Sequence, residues 1–315
     1  AMLITNVIQH VILFIFLIKN YPNVKLKIKN FHFIDKKEII GYTTTFQILR
    51  WVQTVRTQYI TIAINNLIGP TYVAQYNLTN KIPQIVPGYA VKIVHPFFPI
   101  IADLFHKGEI EKIQEIFLKI SKLLFRIALF FGIATYIMNE PFITFWVGSD
   151  KFAGSGVVLL LIIYMVVYIA MGAFGIVIYA SKKFESWTKW SVVEILFAIT
   201  LSYLFSFRYG LGGIVAGFVM SSMITQVYLF TIVLKQLNLK SLFFLAIVLK
   251  YSISSNLLPL VFGLIILNFV NISNWLTFIF VGLGFVLFGF LVDFIKIYKS
   301  KEKGFKNKVF KVLIS

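Results

Sequence analysis

Apolar residues run along this chain in long blocks, each of about 17–25 positions and so long enough to cross a hydrocarbon core. The blocks fall at 2–18, 40–65, 78–102, 118–138, 155–179, 191–207, 211–234, 242–269 and 276–295. Helix-breaking and turn-forming residues separate several of them: Gly69-Pro70, Glu140-Pro141, Tyr209-Gly210 and Asn271-Ile-Ser-Asn274. The pattern predicts an all-α protein, a polytopic membrane helix bundle with about nine transmembrane helices.

Within two blocks the polar positions are themselves periodic. Thr43, Gln47, Arg50, Thr54, Thr57, Thr61 and Asn65 recur at spacings of three and four, which stacks them on one helix face. Asn77, Lys81, Gln84, Gly88, Lys92, His95 and Pro99 repeat the arrangement in the next block, which also carries Pro83, Pro87 and Pro96. A charge at mid-bilayer costs about 2.5–3.5 kcal/mol even on the lenient insertion scale, so such stripes face the bundle interior or water. Prolines are tolerated in a membrane helix where neighbours or a wet cavity satisfy the freed carbonyls. Arg56 lies off the first stripe. Lys250, followed by Tyr251, Ser252, Ser254, Ser255 and Asn256, either serves the same cavity or snorkels to headgroups. The expected anion-binding residues are Arg50, Arg56, Lys92, Lys81 and Lys250, and the expected polar lining is Gln47, Thr54, Thr57, Gln84 and His95. Glu194 and Asp293 are placed near block ends, within reach of headgroups, which leaves the interior charge cationic and unbalanced.

Composition supports the membrane reading. The 315 residues are 59% hydrophobic and 13% charged, too apolar for a soluble domain of this length. The net charge of +18 does not point to nucleic acid, because the basic residues follow a topological pattern rather than a stripe on a soluble face. The loop after the first block holds Lys19, Lys25, Lys27, Lys29, Lys36 and Lys37. The alternate loops add Lys107, Lys112, Lys182, Lys183, Lys189, Lys235 and Lys240, and the tail is lysine-rich from Lys296 onward. The opposite side receives Lys151 and Arg208. The positive-inside rule makes the lysine-rich side and the C-terminus cytoplasmic and puts residue 1 outside. Block 2–18 has no basic region before it and no small-residue cleavage site after it, so it does not read as a signal peptide. The expectation is a chain whose earlier helices precede residue 1; the alternative is a complete nine-helix protein starting at Met2.

With no cysteine, thiolate metal sites, disulfides and cysteine nucleophiles are excluded. No phosphate-cradling glycine loop, productive carboxylate pair or metal-ligand cluster occurs, so neither a catalytic residue nor a cofactor is expected, and the protein is not read as an enzyme. His10, His32, His95 and His106 are scattered. Gly210-Leu-Gly-Gly213 reads as a turn and close-packing device rather than a nucleotide site.

Several ordered segments carry a family resemblance. Gly69-Pro-Thr-Tyr-Val-Ala-Gln-Tyr76 resembles the loop between the first two helices of the second lobe in polysaccharide flippases. Phe98-Pro-Ile-Ile-Ala-Asp-Leu-Phe-His-Lys-Gly108 is similar to their proline-containing helix end and cytoplasmic turn. Phe145-Trp-Val-Gly-Ser-Asp-Lys-Phe152 resembles their extracytoplasmic Trp-Gly-Phe segment. Tyr179-Ala-Ser-Lys-Lys-Phe184 and Tyr209-Gly-Leu-Gly-Gly-Ile-Val-Ala-Gly217 resemble the later turns. Together they resemble the Wzx-type O-antigen and capsular oligosaccharide flippases, in the superfamily that includes MATE antiporters and the lipid II flippase. The resemblance implies two six-helix lobes with two extra helices. Residues 1–18 would be the last helix of the first lobe, 19–39 a cytoplasmic basic linker and 40–235 the second lobe. Residues 236–297 would be the extra pair and 298–315 a cytoplasmic lysine-rich tail.

The implied activity is passage of an undecaprenyl-pyrophosphate-linked oligosaccharide across the bacterial cytoplasmic membrane. The implied partners are that anionic lipid-linked sugar, membrane lipids, and the preceding helices or a partner chain. Cations suit the pyrophosphate and Thr, Gln and Asn suit sugar hydroxyls. A MATE-type multidrug or cation antiporter is the nearest alternative, but its cation coupling calls for membrane carboxylates that blocks 40–65 and 78–102 lack. A membrane glycosyltransferase or polymerase would need acids in outer loops, where Glu140 and Asp150 stand.

Overall fold

The structure, a computed structural model, describes residues 11–16, 18–20 and 36–314. The chain divides into two compact units, Ala1–Thr44 and Thr45–Ser315. The first contributes α1 (Val11–Asn20) and the opening turns of α2 (Lys36–Ile68). The second is helical throughout: α3 (Pro70–Thr79), α4 (Lys81–Lys92), α5 (Phe98–Lys107), α6 (Ile110–Val147), α7 (Ser155–Ala170), α8 (Gly172–Ala180), α9 (Phe184–Gln236), α10 (Ser241–Phe269) and α11 (Trp275–Ile314). No strand occurs among the described residues.

Among the described residues, five helical runs are long and apolar enough to cross a membrane: Lys81–Lys107, Ser155–Ala180, Glu185–Gln236, Ser241–Phe269 and Trp275–Val292. Nine were expected. Block 2–18 lies largely outside the described residues. The Thr, Gln and Arg stripe of α2 dilutes its apolar character. Blocks 191–207 and 211–234 both fall in the Glu185–Gln236 run, because α9 is two helices joined at Gly210, and block 118–138 lies in α6, which is not among the five.

That joint is a hairpin. Gly210 has φ 52° and ψ −128°, a left-handed conformation that a side chain resists. Beyond it the second half of α9 folds back, and the Ser202 hydroxyl donates to the Ile214 carbonyl at 3.0 Å. The two halves touch backbone to backbone. A Cβ on Gly213 would lie 2.1 Å from the Phe205 carbonyl oxygen, and one on Gly217 would lie 2.4 Å from the Ser202 nitrogen. The glycines thus act as the turn and the close-packing device their spacing suggested.

Elsewhere a breaker did not break. Glu140-Pro141 was expected to end a helix, yet Pro141 lies inside α6, which continues to Val147. Proline removes one helical donor, but the following turn is held by packing: Ile143 is fully buried. Phe142 and Phe145 meet Trp275 and Phe278 of α11 with ring centroids 5.8–6.4 Å apart.

Two large clusters form the core. In one, Phe117 of α6, Phe174 of α8 and Phe244 of α10 pack with centroids 4.9–5.5 Å apart. The other gathers Ile64, Tyr76, Leu161, Ile214 and Phe218 from α2, α3, α7 and α9. A polar node sits beside them. Pro83 has no N–H to offer the Thr79 carbonyl four residues back, and Asn139 of α6 supplies one instead, its Nδ2 donating to Thr79 O at 2.9 Å. The Thr79 hydroxyl in turn accepts from the Ala153 amide at 3.0 Å. Thr79 and Asn139 are both fully buried. Asn139→Leu should therefore cost about 1–3 kcal/mol by stranding a buried acceptor. In a Pro83→Ala background the cost should shrink, since the helix regains its own donor; equal thermal-melting losses in both backgrounds would refute this account.

Candidate functional site

Successive helical residues turn by about 100°, which divides α2 into three faces. Leu49, Arg56, Ile60, Ala63 and Ile64 are buried. Ile48, Trp51, Val55 and Ile62 form an accessible apolar face suited to lipid. Between these lies the stripe: Gln47, Arg50, Thr54, Thr57 and Asn65 are accessible and Thr61 is half-buried. Thr54 donates to the Arg50 carbonyl at 3.0 Å and Thr57 to the Thr54 carbonyl at 2.9 Å, so two stripe hydroxyls are anchored to their own helix.

The third block repeats the division more sharply. Tyr76, Thr79, Pro83, Pro87, Ala90 and Val94 are buried on one side. Asn77, Lys81, Gln84, Gly88, Lys92 and His95 are accessible on the other. Lys92 closes the last turn of α4 with its Nζ 5.2 Å from the Tyr89 ring centroid, close enough for a cation–π contact. His95 begins the short 3-10 turn that leads into α5.

Arg56 differs from this pair. It points into the packed side of α2 and is only 4% exposed, where its Nη1 meets Oε1 of Glu194 on α9 at 3.1 Å; Glu194 is 1% exposed. The Tyr164 and Tyr168 rings of α7 lie 5.9 and 6.0 Å from the guanidinium carbon. The expectation that Arg56 lacks an acidic partner, and that Glu194 reaches headgroups, does not hold. A charge in this core is stable when paired, and the two ions compensate each other between α2 and α9. The sequence held a clue: Arg56 alone among the basic residues of its block sits off the polar stripe, and Glu194 is the carboxylate inside block 191–207.

Lys250 is accessible on α10, which packs along α6 and α11. The next residue, Tyr251, carries Lys122 of α6 with its Nζ 5.8 Å from the ring centroid. One turn further, Asn256 Nδ2 donates to the Arg126 carbonyl at 3.1 Å. Lys250 thus neighbours the basic first half of α6, which the sequence reading did not single out. Among the described residues no group of three His, Asp or Glu side chains is placed to hold a metal ion.

No family model, curated protein or solved structure matches this chain.

Proposed function

We propose that this chain belongs to a polysaccharide flippase and that Arg50 and Lys92 hold the pyrophosphate of a lipid-linked anionic oligosaccharide. The observation that carries this reading is the accessible polar face on two consecutive helical segments, α2 and α4, each bearing a cation among neutral hydrogen-bonding groups. Such a face is incompatible with hydrocarbon and lines a wet cavity instead. Arginine offers a planar fork for phosphate oxygens and lysine a mobile point charge. Gln47, Thr54, Thr57, Gln84 and His95 suit sugar hydroxyls, with Lys81 one end of the α4 stripe. The lipid tail stays in the bilayer. In this reading the chain has nine spans in the bacterial cytoplasmic membrane, with 40–235 as the second lobe of a two-lobe transporter and the C-terminus cytoplasmic. Arg56 takes no part in substrate binding, because Glu194 already neutralises it. The same pairing weighs against a cation antiporter, whose coupling needs a membrane carboxylate free to exchange its partner.

The test is binding of a prenyl pyrophosphate to the purified chain in detergent. Arg50→Ala and Lys92→Ala should each weaken binding about tenfold or more, as for a lost charge-assisted hydrogen bond. Lys92→Arg should bind better than Lys92→Gln, and Arg50→Lys should retain part of the affinity. Unchanged affinity in both alanine variants, at unchanged helicity, would dismiss the anion site.

A further inference from the structure

Thr135 and Asn139 stand one turn apart on the same face of α6, each 1% exposed. Asn139 Nδ2 donates to the Thr79 carbonyl, and because a carbonyl only accepts, the amide orientation is fixed with Oδ1 turned away. That Oδ1 and the Thr135 hydroxyl oxygen are both buried with no hydrogen-bond partner among the described residues. Ser221 and Ser222, equally buried, avoid this state by bonding their own helix, to the Phe218 carbonyl at 2.8 Å and the Val219 carbonyl at 2.7 Å. A buried group left unpaired carries its full desolvation cost, so two on one face call for a partner.

The register of α6 against α4 identifies what stands opposite. The two segments run antiparallel. Asn139 meets Thr79 at one end, and further along Leu124 and Val91 both approach Gly172, 3.1 and 3.2 Å from a Cβ placed there. Thr135, one turn before Asn139, therefore stands level with Pro83, one turn after Thr79. Pro83 is buried, and its carbonyl is the one that residue 87 would bond in an unbroken helix. Residue 87 is proline, which has no N–H to give. At Thr79 the same loss is made good directly by Asn139. At Pro83 the Thr135 hydroxyl makes no direct bond, so the repair needs a third group.

We infer that one water molecule is bound in the seam between α4 and α6, held by Asn139 Oδ1, Thr135 Oγ1 and the Pro83 carbonyl. It donates to the Asn139 and Pro83 oxygens and accepts from the Thr135 hydroxyl. Three hydrogen bonds are the usual complement of a buried water, and two acceptors with one hydroxyl match its two donors and its lone pairs. A metal cation fits less well. The buried charged side chains among the described residues are Arg56 and Glu194, which pair with each other, so no carboxylate would offset a cation here. The water has a mechanical role. A bridging molecule shifts with the Pro83 carbonyl as α4 bends at Pro87, where a direct bond would have to break. The inference is independent of what the chain transports and of how its helices sit in a membrane.

Proton-detected solid-state NMR of the purified full chain, perdeuterated and back-exchanged in phosphatidylcholine bilayers, reads the water directly. The Asn139 Nδ2 protons should show a cross-peak to water in the unmodified protein and lose it in Thr135→Val. Thermal melting supplies a test of sign. Valine keeps the shape of threonine without the hydroxyl, so replacing a merely unpaired group should raise the melting temperature. If the hydroxyl holds the water, Thr135→Val should instead lower it by about 2–4 °C. In a Pro87→Ala background the new N–H reaches the Pro83 carbonyl, and the Thr135→Val loss should shrink. An Asn139 amide silent to water in the unmodified protein would overturn the assignment. So would a cross-peak that survives Thr135→Val, a Thr135→Val chain that melts at or above the unmodified one, or equal losses in the two backgrounds.

Discussion

Glu194→Ala should lower the stability of this protein by about 3–5 kcal/mol, the cost of leaving Arg56 charged and unpaired in a packed interior. The 3.1 Å contact joins residues 138 positions apart, and both partners are nearly inaccessible, so water cannot take over the lost role. Arg56→Ala should cost a similar amount by stranding the carboxylate. The informative variant is the double replacement Arg56→Met with Glu194→Leu. It removes both charges while keeping much of the volume, and it should recover most of the loss, since the pair is worth less than the penalty for breaking it. Melting or denaturant unfolding in a fixed detergent measures all three. A Glu194→Ala loss below about 1 kcal/mol would show that the pair is already hydrated.

Gly217→Val should prevent the α9 hairpin from closing. Its Cβ would stand 2.4 Å from the Ser202 nitrogen, a backbone atom that cannot rotate away. Overpacking a core costs about 1–3 kcal/mol when side chains adjust, and a collision with backbone exceeds that range. Gly213→Val should behave alike, its Cβ falling 2.1 Å from the Phe205 carbonyl oxygen. Gly212 provides the control, because a Cβ there meets nothing within 4 Å. Gly212→Ala should be neutral or stabilising by up to about 1 kcal/mol through helix propensity. Monodisperse yield and melting temperature separate the cases. If Gly217→Val melts with Gly212→Ala, the hairpin is looser than the distances imply.

Much of this architecture was legible in the sequence wherever one property persisted over many residues. The block 242–269 became Ser241–Phe269, and 155–179 became the run Ser155–Ala180, because sustained apolar length leaves a helix few alternatives. The stripes of α2 and α4 were legible for the same reason: a repeat of three and four names a face without needing a neighbour. What the sequence could not show was partnership at a distance. Glu194 was assigned to headgroups because nothing local indicates that α2 passes beside it. Asn139, 60 residues from Thr79, gives no local sign that it completes a bond that Pro83 leaves open. The end of α6 was misplaced because proline's local preference was weighed without Trp275 and Phe278, whose rings hold the turn beyond it. Local rules describe the elements well, and the corrections come from atoms contributed by other helices.

The buried side of α4 has a mechanical consequence. Each proline ring presses on the carbonyl four residues earlier and lengthens the helix on its own side. Pro87, the proline inside α4, lies on the packed face, so that face is the outer side of any bow in the helix. Lys81, Gln84, Gly88 and Lys92 therefore occupy the inside of a bow. A small change in its curvature spreads or gathers those groups together, while the packed side keeps its contacts and acts as the spine about which the bow flexes.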